Sequence, residues 1–145
     1  MFRLRMCLRL YLRASAPGLE VLETQINLET RQLTYAATLA LLRAHPTLRG
    51  IYVAGGGMEG AIAALREARA KGQGPGPGAV QLIVSALTPD SRRGLAEGLV
   101  TLTIDTPLPD LCRAMFATMA RAALSPPSRG ETLFLPPVLS LPEML

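Results

Sequence analysis

Tryptophan is absent from this 145-residue chain, and phenylalanine and tyrosine occur three times each, so aromatics make up only 4% of it. Its apolar content is instead mostly alanine and leucine, which suits helices packed on a parallel sheet. Histidine occurs once, at His45, and cysteine twice, at Cys7 and Cys112. No Cys or His cluster has metal-ligand spacing, so no metal site is expected. Two cysteines without framework spacing do not build a disulfide scaffold and suit a reduced, cytoplasmic setting. No apolar run approaches the length needed to cross a membrane. The nucleophile elbow G-x-S-x-G and the phosphate loop G-x-x-x-x-G-K-[ST] are both missing. No catalytic constellation emerges, and the chain is read as a non-enzyme without a cofactor.

What is present amounts to one domain's worth of chain with a single core. The net charge is +4 and the pI is near 9.7. Four of the fifteen basic residues, Arg3, Arg5, Arg9 and Arg13, lie in the first thirteen positions, and the others are scattered. There is thus no broad basic face to read as a nucleic-acid footprint. The N-terminal segment is Arg-rich and acid-free, as in a transit peptide, but arginines interrupt every apolar stretch, so no signal-peptide core forms. As a helix it places Leu4, Leu8, Tyr11 and Ser15 on one side and Arg5, Arg9 and Arg13 on another. A packed face under a solvated one, a targeting or membrane-surface helix, and a segment without stable structure are its three readings.

The elements alternate in order. A helix is predicted over about Arg3 to Ala14, ended by Pro17-Gly18. Leu19 to Gln25 alternates apolar and polar residues like a half-buried strand. Glu29 to Ala44 reads as a helix stopped by His45-Pro46. Gly50 to Ala54 is a strand and Met58 to Ala70 its helix. Lys71 to Gly78 is a loop rich in glycine and proline. Val80 to Val84 is the next strand. Thr88 as N-cap and Pro89 at the first helical position open a short helix to about Glu97. Leu99 to Asp105 is a strand, and Thr106-Pro107 opens a helix to about Leu124. Ser125 to Gly130 is a loop, and Leu133 to Leu135 and Val138 to Ser140 are short extended pieces. Alternating strands and helices predict an α/β fold, a mostly parallel sheet with helices on both faces.

The most informative stretch is Ile51 to Leu65. A strand runs into Gly55-Gly56-Gly57, then into a helix whose Met58, Ala61, Ile62 and Leu65 share a face. Consecutive glycines allow a sharp turn and a close backbone approach. The first-turn N–H groups of the helix then point over the strand ends, where open α/β sheets bind ligands. Gly55, Gly57 and Gly60 also spell the dinucleotide fingerprint G-x-G-x-x-G. Its acidic partner is missing, because the strand from Val80 ends in Ser85-Ala86 and the next acid is Asp90. A small polar ligand, a nucleotide, and glycines serving only turn and packing all remain open at this point.

Other reactive groups read as structural. His45 beside a helix end complements the helix dipole. Cys112 lies on an apolar stripe with Leu108, Leu111, Met115 and Met119 and reads as a buried small hydrophobe. Asp105 and Asp110 suggest a carboxylate pair, but Asp110 better complements the first turn of its helix.

The order PGLEV (Pro17 to Val21), LLRAHPTLRGIYVAGGG (Leu41 to Gly57) and GAIAALREA (Gly60 to Ala68) resembles the ligand-binding half of lac-repressor-type (LacI family) transcription regulators. LTPDSRRGLAEGLVTLTIDTPLPDL (Leu87 to Leu111) and LFLPPVLSLPEML (Leu133 to Leu145) extend the resemblance over nearly the whole chain. It implies the type I periplasmic-binding-protein fold in three α/β/α layers, with this chain as the C-terminal lobe. Residues 1–145 would then be a partial effector-binding domain, starting inside that lobe's first helix. The helix-turn-helix and the N-terminal lobe of such regulators would be absent, so DNA would be bound only through a region outside this chain. The helix of residues 107–124 would lack the lobe it packs on, and its apolar stripe would face water or a partner, with a homodimer the expected result. The implied partner is a small, sugar-like effector and no membrane. The effector-facing residues are Gly55, Gly56 and Gly57, offering N–H groups, and Ser85 and Thr106, offering hydroxyls. Ala86 stands where the family often has a sugar-binding acid and Thr106 where it often has Gln.

Overall fold

A computed structural model describes residues 2–72, 80–124 and 132–144, with side chains described from residue 9 onward. The elements are α1 (Phe2–Ser15), α2 (Arg31–Ala44), β1 (Gly50–Val53), α3 (Met58–Ala70), β2 (Gln81–Val84), α4 (Pro89–Ala96), β3 (Leu102–Asp105), α5 (Leu108–Leu124) and β4 (Val138–Ser140), followed by a short 3-10 turn at Pro142–Met144. The sheet has the order β1-β2-β3-β4. The first three strands are parallel, and β4 returns antiparallel to β3, pairing Thr103 with Ser140. The fold is therefore α/β with a mostly parallel open sheet.

Side chains alternate across a strand, so the register sorts the sheet into two faces. Val53, Leu82 and Val84 lie on one face and are buried with Ile62, Leu65, Leu95 and Val100. The α2, α3 and α4 helices seal this side, α2 packing on α3 and α3 on α4. The other face carries Tyr52, Ile83, Ile104 and Leu139. It is half-open, with Tyr52 37% and Leu139 47% exposed. No residue of α5 is buried.

Local chemistry accounts for the ends. Thr88 caps α4 in a capping box, accepting from Ser91 N–H while the Ser91 side chain accepts from Thr88 N–H, with Pro89 inside the first turn. His45 sits at the end of α2, its N–H donating to Leu41 C=O. The α2–α3 crossing is tight because Gly60 lies there. A Cβ on Gly60 would come within 2.1 Å of the Arg31 carbonyl oxygen.

Five expectations are corrected. Leu19 to Gln25 joins no sheet. Arg9 instead holds it from α1, bonding the Val21 carbonyl and the Glu23 carboxylate at 2.9 Å, and the consecutive Val21 and Leu22, not alternate residues, are half-buried. On α1, Tyr11 and Ser15 are exposed, while Arg9 and Leu12, and Ala16 just after the helix, are half-buried, because the arginine stem packs and its head finds Glu23. Helix α2 starts at Arg31, not Glu29, because Leu28 and Glu29 have φ of 47° and 57°. Each such non-glycine residue costs of order 1–3 kcal/mol. Leu133 to Leu135 is not a strand, whereas Val138–Ser140 is. Cys112 is exposed, because among the described residues nothing buries any residue of α5. The Gly/Pro loop and Ser125 to Gly130 lie mostly or wholly outside the described residues.

One polar cluster ties α2 to α3. The Tyr35 hydroxyl donates to Glu67, and Lys71 pairs with the same carboxylate. The hydrogen bonds from Lys71 and then Tyr35 hold the Glu67 carboxyl below its ordinary value of 4.5. Bonding to Glu67 raises Tyr35 above 10.0 and Lys71 above 10.5. The sign follows from linkage. The Glu67 contribution is present above pH 4.5 and is lost as pH falls through the lowered value. The Tyr35 and Lys71 contributions are present below about pH 10 and are lost above their raised values. Glu67→Gln is therefore expected to flatten the melting temperature against pH at both ends. A profile identical to wild type would show that solvent screens the cluster completely.

Candidate ligand crevice at the strand ends

The C-terminal ends of β1, β2 and β3 carry every residue singled out for ligand contact. After β1, Gly55 has φ 120° and Gly57 has φ 86°, both in the region that glycine enters without strain. Gly57 is the N-cap of α3 and supplies no side-chain cap. The turn is held at each glycine. Gly55 N–H donates to Ser85 Oγ at 2.8 Å, and that hydroxyl donates back to the Gly55 carbonyl at 3.2 Å. The Gly56 carbonyl accepts from Asn27 Nδ2 at 3.0 Å. Gly57 is packed so closely on α2 that a Cβ would lie 2.3 Å from Thr34 Oγ1.

Ser85 and Gly55 are thus brought together, but chiefly as partners of each other. Thr106 is exposed just beyond β3 and borders, with Ser85, an open groove of about 410 Å³. Its lining is completed by Ile104, Asp105 and Pro107 around the end of β3, by Leu111 of α5, and by Leu133, Leu135 and Pro137. The three glycines lie beside this groove and not in its lining. The lining combines hydroxyl and carboxylate groups with apolar side chains, the mix common in small-molecule sites.

Asp105 is the groove residue that sequence reasoning passed over, having weighed it only as half of a carboxylate pair. Asp110 has its own partner, Arg113, at 3.0 Å on α5. Asp105 instead accepts the Leu87 N–H at 3.2 Å and the Thr106 N–H at 2.8 Å. It thereby joins the loop after β2 to the end of β3. The signal was its place as the last residue of an alternating strand, where a side chain meets the next loop. Asn27 was also missed, since Asn-Leu-Glu-Thr spells no familiar turn. Among the described residues there is no group of three or more His, Cys, Asp or Glu able to hold a metal, and no helix is long and apolar enough to cross a membrane.

Comparison with known proteins places the fold. No curated protein matches the chain. Among solved structures, the periplasmic binding protein component of the arabinose ABC transporter from Shewanella sp. ANA-3, bound to alpha and beta-L-arabinofuranose, superposes with TM-score 0.71 at 20% identity over 90% of this chain and 42% of its own. A periplasmic solute-binding protein of an ABC transporter from Actinobacillus succinogenes 130z with bound D-allose gives 0.70 at 22% identity, over 93% and 45%. GanP, a glucose-galactose binding protein from Geobacillus stearothermophilus, gives 0.72 at 14% identity, over 91% and 45%. At these identities the likeness is one of fold, and the chain spans less than half the length of each of these structures. Residues 6–125, most of the chain, match the family described as Periplasmic binding protein domain, and the chain belongs to that family.

Proposed function

We propose that this chain is one lobe of a sugar-binding protein and that the ligand sits at the ends of β2 and β3. The observation that carries this reading is the groove bordered by Ser85, Asp105 and Thr106 on a periplasmic-binding-protein fold. The three structures described above bind sugars, which supports the ligand class. Ser85 and Thr106 supply hydroxyls, and Gly55 to Gly57 shape the rim. Calorimetric titration with D-allose, L-arabinose, D-glucose and D-galactose tests it. Heat with one of them, weakened by Thr106→Ala by about fivefold (one hydrogen bond to an uncharged group, roughly 1 kcal/mol), is the expected result. No heat with any at millimolar concentration would reject sugar binding by this lobe alone.

The finer reading is that the lobe senses an effector for a lac-repressor-type transcription regulator in the cytoplasm. The segment order from Pro17 to Leu145 favours it. In that role the effector shifts a conformational equilibrium and so DNA affinity, and DNA is contacted by a region other than these residues. A second reading, solute capture for a transporter, is favoured by the ABC-transporter proteins among the similar structures. Sequencing the DNA upstream of the Met1 codon separates the two. A helix-turn-helix coding segment supports the regulator, and a secretion signal supports the transporter. NAD in the same titration tests the glycine fingerprint.

A homodimer belongs to the regulator reading. Leu108, Met115, Phe116 and Met119 are all exposed on α5. Met115→Glu with Met119→Glu is expected to shift sedimentation toward the monomer, because an apolar stripe of this kind is an association surface. A wild-type chain that sediments as a monomer at every concentration argues against the dimer.

A further inference from the structure

We propose that Asn27 is a positioning residue for the ligand crevice: it braces the Gly55–Gly57 turn through its side-chain amide. The proposal rests on the reading of that crevice as a binding site. Asn27 makes bonds in three directions. Its Nδ2 donates to the Gly56 carbonyl at 3.0 Å and to Thr34 Oγ1 at 2.8 Å. Its Oδ1 accepts the Glu29 N–H at 3.1 Å. Its backbone carbonyl accepts the Thr30 N–H at 3.0 Å. The last bond closes a tight turn whose central residues, Leu28 and Glu29, both have positive φ.

Such a turn normally takes Asn-Gly, Asp-Gly or Gly-Gly at its centre. Leucine and glutamate are costly there, so the conformation persists only because its surroundings over-determine it. The Asn27 side chain is one of those surroundings, and Gly56 is the other. A Cβ on Gly56 would stand 3.0 Å from Glu29 Cβ and 3.1 Å from the Glu29 carbonyl oxygen. The strained turn and the glycine turn are therefore pressed together, with one amide bonded to both. Ser85 holds the same glycine turn at its first residue, Gly55. With both grips in place the rim of the crevice is set before any ligand arrives, which lowers the ordering cost of binding.

Asn27→Asp separates the two roles of the side chain. Aspartate keeps the acceptor for Glu29 N–H and loses the donor to Gly56 and Thr34. Amide hydrogen exchange followed by NMR is the readout. In Asn27→Asp the amides of Gly55 and Gly60, which donate to Ser85 Oγ and to the Gly57 carbonyl, are expected to exchange about tenfold faster or more, with Leu82 and Val84 in β2 unchanged, as in a local opening. Asn27→Ala should add faster exchange at Glu29 and Thr30. An equal rise in β2, or no rise at the glycines, overturns the proposal, as does failure of both variants to fold, which would make Asn27 a general stability residue. Sugar titration adds a second readout. A wild-type ligand whose Kd rises about tenfold in Asn27→Asp at unchanged melting temperature supports positioning. A wild type that binds no sugar rejects the function proposed above, while the exchange result still decides the role of Asn27.

Discussion

Gly60→Ala is expected to destabilise the domain by about 3 kcal/mol, the upper part of the range for overpacking. For a domain of this size that is a fall of roughly 10 °C in melting temperature. The added methyl would lie 2.1 Å from the Arg31 carbonyl oxygen and 2.8 Å from the Tyr35 N–H nitrogen. Both obstacles are backbone atoms of α2, so no rotamer change relieves the clash, and the two helices must move apart. Separating them would loosen Ile62 and Leu65 on α3, which are buried in the core. Helix propensity works the other way, since alanine is favoured over glycine in a helix interior by about 1 kcal/mol. Calorimetry of Gly60→Ala therefore reports which effect wins. A melting temperature at or above wild type would mean that the helices separate at less cost than the alanine propensity gains. Gly18→Ala is the control, because nothing lies within 4 Å of its would-be methyl.

Leu82→Ala is expected to lose about 3 kcal/mol, within the usual range for emptying a buried leucine site. Leu82 is fully buried at the centre of the sheet, on the side sealed by the helices. Its neighbour Ile83 points to the opposite, half-open face, so Ile83→Ala is expected to lose only about 1 kcal/mol, in proportion to the smaller area it removes from water. The contrast between adjacent residues is the measurement. Equal losses in chemical denaturation would show that the second face is also covered in solution, by α5, by another copy or by another lobe.

Much of the architecture was legible in the chain. Residues at helical spacing on α3, the Thr88-Pro89 start of α4 and the apolar runs of β1 and β2 depend on contacts within a few positions. The same locality explains the failures. Leu19 to Gln25 has the alternation of a strand, but a strand also needs a neighbour's edge, and Arg9 bonds its Val21 carbonyl instead. Cys112 and Met115 have the spacing of a core stripe, yet spacing says only that a face is apolar and not that anything covers it. The positions of the glycine turn, Ser85 and Thr106 at the strand ends were legible from the strand-and-turn pattern. Asp105 and Asn27 were not, because each acts by holding another segment's backbone.

The sequence by itself determined the order of the helices α1 to α5 and of the strands β1 to β4, and the place of the turn between β1 and α3. These follow from periodicity, caps and residue types, which are properties of short windows. Only the tertiary structure decided what the candidate residues do. Ser85 meets Gly55 across 30 positions and Asn27 meets Gly56 across 29. Gly57 and Gly60 face α2, whose nearest atoms set the space each glycine has. Whether a hydroxyl is offered to a ligand or spent on a neighbouring turn depends on which strand ends lie side by side, and parallel strand pairing brings those ends together only after the intervening helix has crossed over the sheet.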